Sequence, residues 1–317
     1  MKVAQVTSWG TAPTCQTVPD LPPPSPTQMQ LTVLTVGIPR VVQIRATGKH
    51  PSVFDSPLPF DPSIDGVGRD DTTGDVYFIH PLAAPLLAER ANVERHHLVK
   101  LAPGADPVSV AALANPMSSS WMALRRRAIG GCTGRTVLIL GATSASGRTA
   151  ALVARSLGAA RIVGLSRREE TLETVDGLDE RVILREPFVL PPSAGPIHII
   201  LDYVGGSAAA GILQNAEVEP GENLQYIQVG GLASEDTHML QVLPPYLINT
   251  KPICIMGSGL GSVRLQDLKD EMPDMVRAMM QMPSPFELET VSLSNIQSVW
   301  DSANASKRLV VIPTAKD

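Results

Sequence analysis

The run Arg135-Thr-Val-Leu-Ile-Leu-Gly141, followed at once by the small residues Ala142-Thr-Ser-Ala-Ser-Gly147, constrains this chain more than any other segment. A short, continuous apolar run that ends in glycine fits a strand buried on both faces. From Gly147 to Leu157 apolar residues recur at helical spacing, and Gly158 offers a C-cap. Ala160-Arg-Ile-Val-Gly-Leu165 then reads as a second strand, which completes a β-α-β unit. Further strands are expected at 181–184, 197–201, 224–229 and 252–256, with a helix over 265–281. That alternation predicts an α/β protein with a parallel sheet and ligands at the carboxyl ends of its strands.

The first 110 residues have a different character. Strand-like runs at 31–36 and 75–79 are separated by Gly, Pro and Asp clusters, which points to an irregular β domain. Pro19 to Pro26 reads as a connector. Helices are expected at 108–113 and 119–127, broken by Asn115-Pro116, because a residue before proline avoids the helical region. The tail, 287–291 and 308–312, returns to strand. A chain of 317 residues is long enough for two domains.

Composition excludes several classes. The net charge is −5 with acids and bases interspersed, so no nucleic-acid partner is expected. No apolar run reaches membrane-spanning length and no signal peptide is recognisable, so a cytoplasmic protein is expected. Three widely spaced cysteines, Cys15, Cys132 and Cys254, do not suggest a disulfide framework. His96-His97 in an extended segment would point to opposite faces and could not share one metal ion.

The turn 141–147 carries the chemistry. Small residues let backbone approach a pyrophosphate, and the N–H groups that open the next helix can donate to its oxygens. Only Gly141 and Gly147 are glycines, so a plain tight turn stays open as the alternative. The end of the second strand adds to the case. Dinucleotide sites for NAD carry a carboxylate there, whereas this chain has Ser166-Arg167-Arg168. A hydroxyl followed by two guanidiniums suits the 2′-phosphate of NADP, so NADPH is the expected cofactor.

Leu58-Pro-Phe60 leading into Asp65-Gly-Val-Gly68, Val99–Gly104, Asn115-Pro-Met-Ser-Ser-Ser-Trp121, Thr136–Thr143, Leu201-Asp-Tyr-Val-Gly-Gly206 and Gly257–Ser262 together resemble the medium-chain dehydrogenase/reductase superfamily, in its zinc-independent, quinone oxidoreductase-like branch. The resemblance implies a Rossmann doubly wound parallel sheet over 113–267, inserted into a GroES-like β-rich catalytic domain made of 1–112 and 268–317. It implies an active site in an interdomain cleft and a homodimer joined through an edge strand at Pro252–Met256. Cofactor contacts would come from Ser119, Thr143, Ser144, Ala145, Ser146, Ser166, Arg167, Arg168, Tyr203, Val229, Gly230, Gly257 and Ser258.

Zinc-dependent relatives carry an early Cys and a later His-Glu pair. Ile38-Pro39-Arg40 and Ser63-Ile64-Asp65 stand in those places, and no metal is expected. The simplest chemistry left is reduction of an activated C=C bond or a quinone by hydride from NADPH. The protein mainly holds two reactants in register, which lowers a barrier by up to ~7–11 kcal/mol. Arg40 could stabilise an enolate, Ser119 lies near the nicotinamide end or caps a helix, and Tyr246 and Tyr203 are candidate donors. Asp65 is expected to order its turn, and Asp202 to cap the next helix. Met256 and the run from Met272 to Met282 read as core, or as a pocket for a bulky apolar small-molecule substrate. Glycines usual in zinc-free relatives are replaced by Ser144 and Ala145, and their Asn near Pro39 is absent. Two other readings therefore stay open: a non-reductive isomerase, cyclase or lyase on this scaffold, and a non-catalytic NADPH-binding protein.

Overall fold

A computed structural model describes residues 1–230, 245–259, 261–302 and 307–315. The chain divides into two compact units, Met1–Asn115 with Met272–Asp317, and Pro116–Glu271.

The Pro116–Glu271 unit holds a six-stranded, all-parallel sheet. In spatial order its strands are Glu180–Ile183, Arg161–Ser166, Thr136–Leu140, Ile199–Asp202, Leu224–Gln228 and Ile253–Gly257. The order reverses between Thr136–Leu140 and Ile199–Asp202, and such a switch point opens a crevice at the strands' carboxyl ends. Val137, Leu138, Ile139 and Leu140 are fully buried, as two-sided cover by helices requires. The helix Ala145–Ser156 leaves the first strand, and Val153 and Ala154 on it are buried.

The other unit is built on a seven-stranded sheet. Gln28–Gly37 is its central strand, flanked by Lys307–Ile312, Gly66–Arg69 and Arg90–Glu94. Leu31, Val33, Val36, Ile79, Leu309 and Val311 fill its core. Met272, Met275 and Met279 are buried at helical spacing, the core reading of that methionine run.

Three sequence expectations need correction. Asn115-Pro116 does not break a helix: one helix runs Pro107–Met122 through Pro116 and passes into a π-helical turn, Ala123–Arg127. Proline removes the N–H that would bond the Ala112 carbonyl, and packing of this almost wholly buried segment carries the helix past that gap. His96 and His97 are not extended. They lie in a single 3-10 turn, Arg95–His97, with ring centroids 4.0 Å apart. No cluster of three metal-ligating side chains forms among the described residues.

Asp65 does not order its turn. That work falls to Asp61, which accepts from the N–H groups of Ser63 and Leu87, both at 2.8 Å. Asp65 is instead 3% exposed, and burial pushes its carboxyl up to about 7 against the pull of Arg308. Arg308 is also buried, stacks 5.1 Å from the Phe286 ring centroid, and is pushed down to about 10. A carboxyl raised by folding binds its proton more tightly in the folded state, so stability falls as pH rises from the unfolded value of about 3.9 toward 7. Between pH ~5.5 and ~8 this group is expected to cost about 2 kcal/mol. Thermal melts across that range should show the decline in the wild type, and Asp65→Asn should flatten it.

Candidate cofactor site

The site grows from the turn after the first parallel strand. Gly141 has φ +90°, a conformation that favours glycine, and a Cβ there would meet Val204 Cγ2 at 2.9 Å. At Gly147 a Cβ would lie 2.3 Å from the Gly141 carbonyl oxygen. These two glycines let the helix start pack against the strand end. Ser144 is the N-cap, and its Oγ accepts from the Gly147 N–H at 3.0 Å. The serine that replaces a customary glycine thus turns its hydroxyl back into the helix. The N–H groups of Ala145 and Ser146 are left without intrahelical acceptors, free for an anion.

The second strand's end lies against this turn. The hydroxyls of Thr143 and Ser166 are hydrogen-bonded at 2.8 Å. Arg167 and Arg168 follow, both exposed, and neither guanidinium has an ion pair or hydrogen bond among the described residues. Thr143, Ser144, Ala145, Ser146, Ser166, Arg167 and Arg168 therefore form one contiguous rim. A polar turn with free N–H donors beside two unneutralised guanidiniums fits a phosphorylated dinucleotide.

A second group gathers at the switch point. Asp202, fully buried, accepts from Val204 N–H (2.7 Å), Gly205 N–H (2.9 Å) and the Tyr226 hydroxyl. It orders the turn that precedes the helix Gly206–Asn215 but does not cap it as expected: the N-cap is Gly205, with no side-chain cap bond. Burial pushes its carboxyl above the usual range, and burial beside Asp202 pushes the Tyr226 phenol up. The Asp202 carbonyl accepts from the N–H groups of Val229 (2.9 Å) and Gly230 (3.0 Å), which seats both beside Tyr203. Tyr203 is 8% exposed, and its hydroxyl has no hydrogen-bond partner among the described residues. Burial raises its phenol, and the nearby hydroxyls of Ser119 and Ser120 oppose that. Ser119 lies within its helix and caps nothing.

Other expected residues lie apart. Ser258 is tied by its N–H to the Gln228 carbonyl at 2.8 Å, and the Gly257 carbonyl accepts from Arg127 Nε at 2.8 Å. Leu260, within the Gly257–Ser262 motif, lies outside the described residues. Tyr246 is 65% exposed on the short helix Pro245–Thr250. Arg40, also exposed, opens the helix Arg40–Ala46 in the other unit, with no ion pair among the described residues. Sequence reasoning missed Arg148, which is 7% exposed in the first turn of Ala145–Ser156 and donates to the Thr143 carbonyl. Its signal was a cation where the helix dipole disfavours one.

Comparison with known proteins decides the family. The chain is 47% identical, over 99% of its length and 100% of the relative, to a probable NADPH-dependent quinone reductase, tdiC, of Emericella nidulans. The chain belongs to the quinone oxidoreductase-like branch of the medium-chain dehydrogenase/reductase superfamily. No family model matches it. Among solved structures, a quinone oxidoreductase from Thermus thermophilus superposes with a TM-score of 0.74 at 20% identity, over 98% of this chain and 100% of that one. An NAD-dependent alcohol dehydrogenase reaches 0.77 at 16% identity, over 98% and 99%. These superpositions match the expected α/β fold, a Rossmann sheet joined to a GroES-like domain.

Proposed function

We propose that this chain is an NADPH-dependent oxidoreductase that reduces a quinone or an activated C=C bond without zinc. The observation that carries the reading is the exposed, unneutralised Arg167–Arg168 pair where an NAD site would place a carboxylate. The similarity to a probable NADPH-dependent quinone reductase supports it.

In this reading the N–H groups of Ala145 and Ser146 hold the pyrophosphate, and Arg167 and Arg168 grip the 2′-phosphate in charge-assisted bonds. Ser166 and Thr143 brace that rim through their hydroxyl pair. Tyr203, Ser119, Val229, Gly230, Gly257 and Ser258 line the remainder of the cofactor's path. When bound, NADPH supplies a hydride to an electron-poor carbon or quinone oxygen. Arg40 and Tyr246 are proposed to donate hydrogen bonds to the oxygen that gains negative charge, with water as the proton source. Ile64, apolar and buried, stands where zinc-dependent relatives place a ligand, and this supports zinc independence.

The 1–112 and 268–317 segments are proposed as the catalytic domain, and 113–267 as the cofactor domain. A homodimer through the edge strand Ile253–Gly257, where Ile255 is 41% exposed, belongs to the same reading. So does a cytoplasmic location, which fits the finding that no described helix is long and apolar enough to cross a membrane.

The test follows NADPH absorbance with a panel of quinones and enones, with and without a chelator. Enzyme-dependent, acceptor-dependent oxidation that the chelator leaves unchanged is expected. Product formed with no NADPH oxidised would favour the non-reductive alternative, and binding with no turnover would favour a binding protein.

A further inference from the structure

Thr143 is held from two sides. Its hydroxyl bonds Ser166, which leads directly into Arg167 and Arg168. Its carbonyl accepts from Arg148 Nε at 3.3 Å. The same guanidinium donates through Nη1 to the Thr174 carbonyl (2.9 Å), and through Nη2 to the Thr171 carbonyl (3.4 Å) and Thr174 Oγ1 (2.8 Å). The Arg168 carbonyl in turn accepts from Thr171 Oγ1 and Leu172 N–H, both at 3.1 Å. The path from Thr143 through Ser166, the arginine pair, Thr171 and Thr174 returns to Thr143 through Arg148. The Gly141 and Ala142 N–H groups tie the base of the phosphate turn to the Leu165 carbonyl, both at 3.0 Å, and Arg148 closes the ring at its outer end.

Ordinary helix packing does not ask for this residue. Arg148 is buried, its four acceptors are all neutral, and it has no ion pair among the described residues. Burial pulls this guanidinium below its usual range, only partly offset by the Asp176 carboxylate, so holding it there is costly. The planar fork is what lets one residue reach three carbonyls and a hydroxyl on two segments.

We propose that Arg148 is a positioning residue that fixes the separation between the phosphate turn and the Arg167–Arg168 pair, and so sets the preference for a 2′-phosphorylated dinucleotide. The proposal rests on the cofactor reading above. The pyrophosphate and the 2′-phosphate of NADPH are joined through one ribose, a short covalent path that limits how far apart they can lie. Both protein sites engage together only when their own spacing matches, as for any two linked binding sites. NADH lacks the 2′-phosphate and uses the phosphate turn alone. Loosening the brace therefore costs NADPH the second site and leaves NADH nearly untouched.

The experiment titrates NADPH and NADH calorimetrically into the wild type, Arg148→Met and Arg148→Lys, with melting temperatures alongside. Arg148→Met should weaken NADPH about tenfold or more and NADH less than about twofold. Arg148→Lys keeps the charge but loses the fork, and should lower the NADPH/NADH preference by a smaller factor. It decides the question if the Met variant does not fold. A preference unchanged in the folded variants, with both cofactors weakened equally or only the melting temperature lowered, would make Arg148 structural and overturn the proposal. A wild type that binds neither cofactor, or both equally, instead removes the cofactor reading beneath it.

Discussion

Replacing Arg167 and Arg168 together by alanine is expected to weaken NADPH by about 100-fold while NADH changes less than about threefold. The figure follows from the physics of the contact. Hydrogen bonds to charged groups contribute about 1.5–3 kcal/mol each, and exposure reduces that. Two guanidiniums on one phosphate then amount to about 3 kcal/mol, close to two decades in Kd. Neither arginine has an internal partner among the described residues, so truncation should leave stability within about 0.5 kcal/mol of the wild type. Arg167→Ala alone should show the same selectivity at smaller amplitude. Calorimetric titrations of both cofactors check it, and equal losses for the two would remove the 2′-phosphate assignment.

Gly147→Ala should be the most damaging single methyl group in the sheet unit. The added carbon would lie 2.3 Å from the Gly141 oxygen and 2.8 Å from Ala142 Cα. Both are backbone atoms of the strand-to-helix turn and cannot rotate aside, so the helix start must shift. Overpacking of this kind costs about 3 kcal/mol, which lowers the melting temperature by roughly 6–12 °C for a unit of this size. The shift also displaces the Ala145 and Ser146 N–H groups, so NADPH affinity should fall well beyond the stability loss. Gly259→Ala, with nothing within 4 Å of the added carbon, is the control and should stay within about 0.5 kcal/mol. Thermal melts of the two variants separate steric conflict from the general cost of replacing glycine.

The sheet was legible in the sequence because buried parallel strands are continuous apolar runs. Thr136–Leu140 and Arg161–Ser166 show that signature, and burial follows it closely. The helix Pro107–Met122 was not legible. The rule that proline ends a helix is local, whereas Pro116 is retained by the packing of a buried segment. His96-His97 misled for the opposite reason: a single turn between strands leaves almost no periodicity to read. At the site, the hydroxyl and arginine rim could be read from residue types alone. The brace through Arg148 could not, because its acceptors at Thr143, Thr171 and Thr174 are backbone carbonyls and a threonine hydroxyl, which no residue pattern announces.

The central claim is that the turn 141–147 and the two arginines beyond Ser166 together hold a 2′-phosphorylated dinucleotide. Titrating NADPH and NADH into the wild-type protein at one fixed ionic strength tests it most directly. The account predicts one NADPH per chain, bound at least about tenfold tighter than NADH, with the difference shrinking as salt screens the exposed guanidiniums. Equal affinity for the two cofactors, or no binding of either, would contradict it.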